Sequence, residues 1–480
     1  MGGDAADLVE KARRALRAAG ERAFALNNYA SAASLFDEAL ALWPDDEERP
    51  RLLFLSARAL YAAYDDRREP ALESARDALL AAGDTASAAE AESYLSQHFW
   101  YRGQGELARA HLAHAEELAG DTVSASAARV LAVSARTRTI ADEAAESLRT
   151  AEVALAMSKE LGLDELHAHA LTTVGLAKNS LGDSSEGTKD LERALALAVE
   201  IDSPVASTTV NNLAVLAFLE GRLRRAHELY TEALRLALRF GDAASARFVR
   251  VNVLFLDLLF GHWDAALAEA ETFIAECEAG SPHTQESVAR IARGIIREAR
   301  GNSEGALADH RRALELARES GTLGPIVAAL ARSASTHVER GELTEARRLA
   351  EELIPKLRKH GPHGAIGELA DVAKELGIAS ELRAVFEDSS SSSALSPWRI
   401  GILMALNGDL RGAADFFAEM GNQLFAARMR LRAAERLLAR GEPATDEIEQ
   451  ALAFYRSVGA THYIGRAEAL LHSSAYSDSA

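Results

Sequence analysis

The chain has 480 residues, 48% hydrophobic but only 6% aromatic, so it is long enough to bury a continuous core. Lys and Arg total 53 against 72 Asp and Glu, and the formal net charge of −19 argues against nucleic acid or an anionic membrane as a partner. The arginines are scattered among acidic residues rather than gathered on one face, so neither partner is expected. Alanine dominates the apolar set and favours helix most among the residues, which indicates an all-α fold.

Cysteine content and the length of the apolar runs indicate the cellular compartment of the protein. Cys277 is the only cysteine, which excludes an intrachain disulfide and a multi-cysteine metal site. The first residues carry charges where a signal peptide needs an apolar stretch. The longest apolar run, from Val251 to Phe260, is far shorter than the roughly 20 residues that span a bilayer. A soluble, cytoplasmic protein is predicted.

The first predicted element is a helical hairpin in residues 17–46. Its small, aromatic and proline residues recur at regular positions: Gly20, Tyr29, Ala32, Phe36, Ala39 and Pro44. Further hairpins centre on Ala71, Ala108, Ser147 and Gly187. The hairpins around Ala71 and Ser147 are degenerate.

The clearest repeat register follows in the middle of the chain. Small residues recur every 40 residues, each five residues after a glycine; they are Ala226, Ala266, Ala306 and Ala346, after Gly221, Gly261, Gly301 and Gly341. Glycine takes the left-handed conformation that ends a first helix. The small residue then lets the second helix approach closely, and since neither helix can bury its apolar stripe alone, hairpins stack on their neighbours.

The last third continues the pattern after one interruption. A third degenerate hairpin surrounds Leu382, and a serine-rich segment then predicts a flexible joint. Two more hairpins begin near Gly408 and Gly441, which brings the count to about twelve. The expected organisation is a main array in residues 1–388, a linker in residues 389–396, and a C-terminal block with a capping helix in residues 397–480.

These strings resemble tetratricopeptide (TPR) repeats along nearly the whole chain. The spacing near 40 residues exceeds the usual 34-residue unit, so longer helices are expected. The resemblance implies a right-handed superhelix whose first helices line a concave groove. The repeats also look like those of kinesin light chains. The segment from Ala451 to Leu471 resembles the closing repeats of large bacterial cyclase or AAA-type ATPase regulators, which implies a sensor array without their catalytic part.

Motifs for catalysis or cofactor binding are weak. The Gly-Lys dipeptide of a P-loop does not occur, and Gly103–Ala108 lacks the preceding strand that a dinucleotide fingerprint needs. His111 and His114 lie three residues apart on a predicted helix, but no third metal ligand with suitable spacing is evident. His360 and His363 lie in a hairpin connection. The sequence therefore predicts no enzyme activity, no cofactor and no metal site.

The TPR resemblance also implies where a partner would bind. An asparagine at the sixth place of a TPR unit holds a peptide backbone, because its amide both donates and accepts hydrogen bonds. Asn212 and Asn252 fall on this place in adjacent units, and Asn211 precedes the first of them. Arg332 and Arg399 take the equivalent place in later units, and Thr172, Asn179 and Thr208 would add polar groups on the neighbouring face. The alternative for Asn212 and Asn252 is hydrogen bonding within the helical stack.

Two functions remain open. The first is a scaffold or sensor array that binds a protein or peptide in the concave groove, in bacterial signal transduction or transcription regulation. The attached partner in that case could be an ATPase or a cyclase domain. The alternative is a small-molecule-sensing module of such a regulator, without catalysis of its own.

Overall fold

The computed structural model describes residues 2–44, 46–120, 122–360, 367–388 and 396–477. Regular secondary structure in these ranges is entirely α-helical, which confirms the all-α class. None of the helices in these ranges is both long and apolar enough to cross a membrane.

Within the described ranges, the helices follow one another as twelve successive pairs and a final single helix. In the first half they are α1 Gly2–Ala25, α2 Tyr29–Leu42, α3 Arg49–Ala62, α4 Arg68–Ala81, α5 Thr85–Tyr101, α6 Gly105–Ala119, α7 Ala125–Ile140, α8 Ala144–Glu160, α9 Asp164–Ser180, α10 Ser184–Glu200, α11 Val205–Leu219 and α12 Leu223–Arg239. In the second half they are α13 Ala243–Phe260, α14 Trp263–Glu278, α15 Glu286–Ala299, α16 Ser303–Ser320, α17 Leu323–Glu339, α18 Leu343–His360, α19 Gly367–Ala370, α20 Ala379–Glu387, α21 Pro397–Leu406, α22 Leu410–Met420, α23 Gln423–Leu438, α24 Thr445–Ser457 and α25 Thr461–Ser477. The TPR-like hairpin architecture is confirmed.

Glycine followed by Asp or Asn forms three of the turns within hairpins in the described ranges, at Gly182, Gly301 and Gly408. Gly301 has φ +86°, in the region that favours glycine, and ends the turn after α15. The next residue, Asn302, accepts a hydrogen bond from the backbone N–H of Gly305 at 2.9 Å and so caps α16. The four alanines of the 40-residue register are buried in the second helices.

A second spacing fixes how closely the two helices of a hairpin approach. A glycine on the first helix faces a side chain sixteen residues later on the second; the pairs are Gly20 with Phe36, Gly175 with Leu191, Gly294 with His310 and Gly401 with Phe417. A Cβ built on any of these glycines would lie within 3.0 Å of its partner side chain. The missing side chain is therefore what allows these helices to pack at this distance.

The described chain forms two compact units. Unit 1 comprises residues 1–212 and 232–249, and unit 2 comprises residues 213–231 and 250–480. In unit 1, first helices contact each other as well as their own second helices: α3 contacts α5, α5 contacts α7, and α7 contacts α9. These first helices therefore form an inner layer whose side chains converge.

In unit 2, the last helices of the chain return to its earlier ones. The indole N–H of Trp398 on α21 donates to the carbonyl oxygen of Phe218 at 2.7 Å, and α25 contacts α15. Charged side chains fill the region between these helices. Glu339 accepts from Arg432 and, at 2.6 Å, from Arg466, while Arg428 pairs with Asp371 at 3.1 Å.

The serine-rich linker predicted for residues 389–396 lies outside the described residues except for Ser396. The division of the chain at that linker stays a prediction. The hairpins predicted as degenerate around Ala71 and Ser147 have regular helices of 14 to 17 residues, whereas the one around Leu382 includes the four-residue helix α19.

Candidate binding site on the inner helices of unit 1

Among the predicted groove residues of unit 1, several hydrogen-bond within the helical stack. Thr172 is buried, and its hydroxyl shares a 2.9 Å hydrogen bond with the hydroxyl of Thr209 on α11. The side-chain amide of Asn179 donates to the carbonyl of Gly175 one turn earlier, at 3.1 Å. These bonds hold α9 in place. A role in contacting a partner stays a prediction for both residues.

The three candidates on α11 lie near each other. The amide of Asn211 donates to the side-chain oxygen of Asn212 at 3.3 Å, and Asn211 is buried while Asn212 is half-buried. Thr208 is half-buried one turn earlier. Of this group, Asn212 and Thr208 retain some contact with solvent.

The other three candidates belong to unit 2. Asn252 accepts a hydrogen bond from the amide of Gln285 at 3.2 Å. Arg332 is buried and forms an ion pair with Glu298. Arg399 is buried as well, and its Nη1 has no hydrogen-bond partner among the described residues. The predicted set thus belongs partly to unit 1 and partly to unit 2, and its role in contacting a partner stays a prediction.

A different set of side chains does converge, on the inner helices of unit 1. These residues, hereafter the aromatic–arginine cluster, come from first helices of hairpins: Arg58 and Tyr61 on α3, Tyr94, Trp100 and Tyr101 on α5, Arg136 on α7, His169 on α9, and Arg247 and Phe248 on α13. Most of them are half-buried, so the cluster stays in contact with solvent.

Arg136 lies at the centre of the cluster. Its guanidinium carbon is 5.3 Å from the ring centre of Trp100 and 5.7 Å from that of Tyr101, within the range of cation–π attraction. Its Nη2 donates to the hydroxyl of Tyr101 at 3.2 Å. No Asp or Glu among the described residues lies within ion-pair distance of Arg136.

Aromatic side chains lie next to Arg136. The rings of Tyr61 and Tyr94 lie 5.0 Å apart, and Tyr94 also packs at 6.3 Å from Phe54. Burial raises the pKa of Tyr61 well above its usual value, so its hydroxyl is protonated at neutral pH and can donate a hydrogen bond. Arg58 stacks on Phe54, with its guanidinium carbon 5.6 Å from that ring centre.

Helix α13 adds two residues to the cluster from a distant part of the sequence. The guanidinium of Arg247 donates to the hydroxyl of Tyr64 at 2.9 Å, and Phe248 stacks on Trp100 with ring centres 5.8 Å apart. Aromatic rings and cations therefore lie side by side on the first helices of unit 1. Such a surface can bind both apolar and polar parts of a ligand.

Two buried polar atoms of the cluster have no hydrogen-bond partner among the described residues. The indole N–H of Trp100 and the Nδ1 of His169 are buried, and neither atom has a hydrogen-bond partner among the described residues. Burial and the nearby charge of Arg136 lower the pKa of His169 to about 4. The imidazole is therefore neutral at pH 7 and offers one N–H donor and one acceptor.

The histidine pair noted in the sequence lies elsewhere in unit 1. His111 and His114 both direct Nδ1 at the carboxylate of Glu92, at 2.5 Å and 2.9 Å, and Arg76 contacts the same carboxylate at 3.2 Å. Within the described ranges, no three His, Cys, Asp or Glu residues are arranged to hold a metal ion. His363 lies outside these ranges.

One further string has a spacing used in catalysis. Residues 301–305 read Gly-x-Ser-x-Gly, which in hydrolases places a nucleophilic serine on a sharp turn between a strand and a helix. Here the string follows helix α15, and the hydroxyl of Ser303 accepts a hydrogen bond from Arg340 at 2.9 Å. The segment is a hairpin turn of the repeat.

Sequence reasoning missed the aromatic–arginine cluster, although one signal was present. Aromatic residues make up 6% of the chain, yet Tyr61, Tyr64, Tyr94, Trp100 and Tyr101 fall within two neighbouring first helices and the turn after the first. An aromatic concentration on the inner helices of an otherwise aromatic-poor repeat array indicates a binding surface.

No protein-family model and no curated protein sequence matches the chain. Among solved structures, the chain is similar to a Rap protein in complex with Competence and Sporulation Factor, with TM-score 0.52, 13% identity, and coverage of 74% of this chain and 99% of that one. Two further similar structures are the apo quorum sensor NprR from B. thuringiensis (TM-score 0.39, 13% identity, 76% and 97% coverage) and BtubC (BKLC) from P. vanneervenii (TM-score 0.35, 15% identity, 47% and 93% coverage). The likeness to the Rap protein shows a shared helical-repeat fold.

Proposed function

We propose that the chain is a binding scaffold of a signalling system, and that unit 1 binds a peptide or an extended segment of a partner protein at the aromatic–arginine cluster. The observation that carries the proposal is a pair of buried polar atoms, the indole N–H of Trp100 and Nδ1 of His169, that have no hydrogen-bond partner in the described chain. A buried donor without an acceptor costs about 1–3 kcal/mol. Peptide carbonyls of a ligand would supply the acceptors.

The length of the cluster favours a peptide over a small molecule as the ligand. Its residues are drawn from α3, α5, α7 and α9, which are successive first helices in contact, and from α13. At roughly 8–10 Å between neighbouring helix axes, four such helices span roughly 25–30 Å. An extended peptide rises about 3.3 Å per residue, so about eight residues would match this length.

The difference between the two units also supports unit 1. In unit 2, the inner charges of Arg332, Arg428, Arg432 and Arg466 each have an acidic partner within the same unit. In unit 1, Arg136 has an aromatic surround and a hydroxyl, and no acid in ion-pair reach among the described residues. These four arginines of unit 2 thus have counter-charges within their own unit, whereas Arg136 of unit 1 has none within ion-pair distance.

The regulatory setting is a further part of the proposal. The likeness of the closing repeats to those of bacterial cyclase and ATPase regulators supports a sensor role, with such a domain as the partner that responds. The Rap protein that shares the fold was solved with Competence and Sporulation Factor, and this supports a signal-binding role here. The proposed function is binding, without a catalytic step.

Affinity selection from a defined pool tests the proposal. The full-length chain is incubated with a synthetic pool of random octapeptides, and retained peptides are identified by mass spectrometry after size exclusion. Trp100→Phe keeps an aromatic side chain but removes the donor, so it should retain about three- to tenfold less of each selected peptide, since a neutral hydrogen bond is worth about 0.5–1.5 kcal/mol. Any fall in its melting temperature should come from the packing lost with the smaller ring, because the donor had no hydrogen-bond partner among the described residues.

The matched control is Trp43→Phe, also in unit 1. The indole N–H of Trp43 donates to Asp46 at 3.2 Å, so this variant should lose stability and keep peptide binding. Equal loss of binding in both variants, or no peptide retained by the wild-type chain, would contradict the proposal.

The alternative function is sensing of a small molecule. The closeness of Tyr61, Tyr101 and Arg136 favours it, because these groups would suffice to hold one small polar ligand. A thermal shift screen against a metabolite panel separates the two functions. Stabilisation by a small molecule, with no peptide retained in the selection, would favour the alternative.

A further inference from the structure

The charge of Arg136 is not balanced within its own surroundings. The titratable groups that face its guanidinium are the hydroxyls of Tyr101 and Tyr61 and the carboxylate of Asp242. Asp242 caps helix α13, where it accepts from the backbone N–H of Ser245 at 3.0 Å. The nearest carboxylate is therefore held by another group and lies outside ion-pair distance of Arg136.

Other arginines on the inner helices of unit 1 do have acids. Arg138, two residues further along α7, pairs with Glu116 at 3.0 Å, and Arg129 on the same helix pairs with Glu90 at 3.3 Å. The lack of an acid at Arg136 is therefore a local feature of the cluster. A half-buried guanidinium without an acid in ion-pair reach can still take an anionic group of a ligand as its counter-charge.

The remaining groups around Arg136 are hydrogen-bond donors. The indole N–H of Trp100 and the imidazole of His169 are directed at no acceptor in the described chain, and the hydroxyl of Tyr61 is protonated. The rings of Trp100 and Tyr101 lie close to the guanidinium and restrict its orientation. A planar guanidinium held in this way can offer two parallel N–H groups to one anionic group.

We propose that Arg136, with the indole N–H of Trp100 and the imidazole of His169, forms a site for an anionic oxygen group of the bound peptide. This inference rests on the proposed function, since it names the chemical group of the ligand that the cluster would bind. The group is a carboxylate or a phosphoryl group, and its source is the peptide C-terminus, an Asp or Glu side chain, or a phosphorylated serine. Each source offers the same oxygens to the guanidinium.

Four forms of the octapeptide pool distinguish the sources. The first has free C-termini but no acidic side chain, the second has amidated C-termini and includes Asp and Glu, the third is amidated with phosphoserine as its sole acid, and the fourth is amidated without any acid. The wild-type chain should retain peptides from one or more of the first three pools about ten- to a hundredfold better than from the fourth. Arg136→Gln should abolish this preference, and Arg136→Lys should keep part of it.

Arg138→Gln is the matched control, because it removes an arginine from the same helix that already has its acid. It should leave the preference for anionic peptides unchanged. Circular dichroism of each variant shows whether it is folded. If Arg136→Gln is not folded, Arg136→Lys, which keeps the charge, takes its place in the comparison of the four pools.

The outcomes separate this inference from the proposed function. Retention of peptides from all four pools alike overturns the anion site and leaves peptide binding intact. Retention from no pool overturns both. Preference for acidic peptides that persists in Arg136→Gln also overturns the anion site.

Discussion

Arg136 donates from Nη2 to the hydroxyl of Tyr101 at 3.2 Å, and this bond joins α7 to the end of α5 on the inner layer of unit 1. The bond fixes one edge of a guanidinium that has no acid in ion-pair reach among the described residues. The opposite edge can then meet a ligand. The proposed binding site depends on this arrangement.

Removing the hydroxyl of Tyr101 should destabilise unit 1. A hydrogen bond to a charged group contributes about 1.5–3 kcal/mol, so Tyr101→Phe should lower the free energy of unfolding by about that amount. Urea unfolding followed by far-UV circular dichroism measures it. In the matched change Tyr455→Phe, the lost hydroxyl is buried without a partner among the described residues, so stability should stay the same or rise. Equal losses in the two variants would contradict the assignment.

The contact between Gly294 and His310 should be sensitive to a single methyl group. A Cβ on Gly294 would lie 2.3 Å from Nε2 of His310, and this imidazole is buried and hydrogen-bonded to Thr336 at 3.0 Å. Gly294→Ala should therefore cost about 1–3 kcal/mol through overpacking, measured as a lower melting temperature. Gly465→Ala on α25 is the control, since no atom lies within 4 Å of its built Cβ. That change should stabilise the helix by up to about 1 kcal/mol.

Acid should destabilise unit 1 through His169. The pKa of His169 in the folded state is about 4, lowered by burial and by Arg136. Since the unfolded chain binds a proton near pH 6.5, the stability due to neutral His169 is present above that pH and decreases as pH falls towards 4. The loss at pH 5 relative to pH 7 is about 2 kcal/mol.

His169→Gln should remove this part of the pH dependence. The measurement is the difference in unfolding free energy between pH 7 and pH 5, for the variant and for the wild-type chain. His462→Gln, at an exposed histidine, should leave the difference unchanged. The same difference in unfolding free energy between pH 7 and pH 5 in all three proteins would show that His169 does not titrate as described.

Stability of unit 2 should depend on Glu339. Burial alone would raise the pKa of Glu339, but Arg432, Arg466 and Arg428 together lower it below its usual value. The contribution is therefore present above the unfolded pKa near 4.3 and is lost as pH falls through the folded value. Glu339→Gln leaves buried arginines without this partner and should cost about 3 kcal/mol at pH 7. The exposed Glu449→Gln should cost less than about 0.5 kcal/mol, and a similar cost for both would contradict the account.

Much of the fold could be predicted from sequence because its signals are local. Gly301 and Asn302 mark a turn by their own conformational preferences, and Ala306 marks the helix contact five residues after the glycine. Similar residue types recur at these positions in other hairpins, so the repeat could be predicted without knowledge of distant contacts. The all-α class and the succession of twelve helix pairs followed from this.

The proposed binding site could not be predicted in the same way, because it depends on contacts between distant segments. Arg247 reaches the hydroxyl of Tyr64 across 183 residues of sequence, and no local pattern contains that distance. The TPR register indicated Thr172 for the groove, yet its hydroxyl bonds to Thr209 of the neighbouring first helix. A register identifies the helix face, whereas the charge balance around Arg136 is visible only in three dimensions.

Photo-crosslinking tests the central claim most directly. An octapeptide retained by the full-length chain is remade with a photoreactive group at its middle residue, and the crosslinked residues are mapped by mass spectrometry. Crosslinks should fall on α3, α5, α7 and α9 of unit 1 and should decrease in Trp100→Phe. Crosslinks confined to second helices or to unit 2 would contradict the claim that the inner layer of unit 1 binds the ligand.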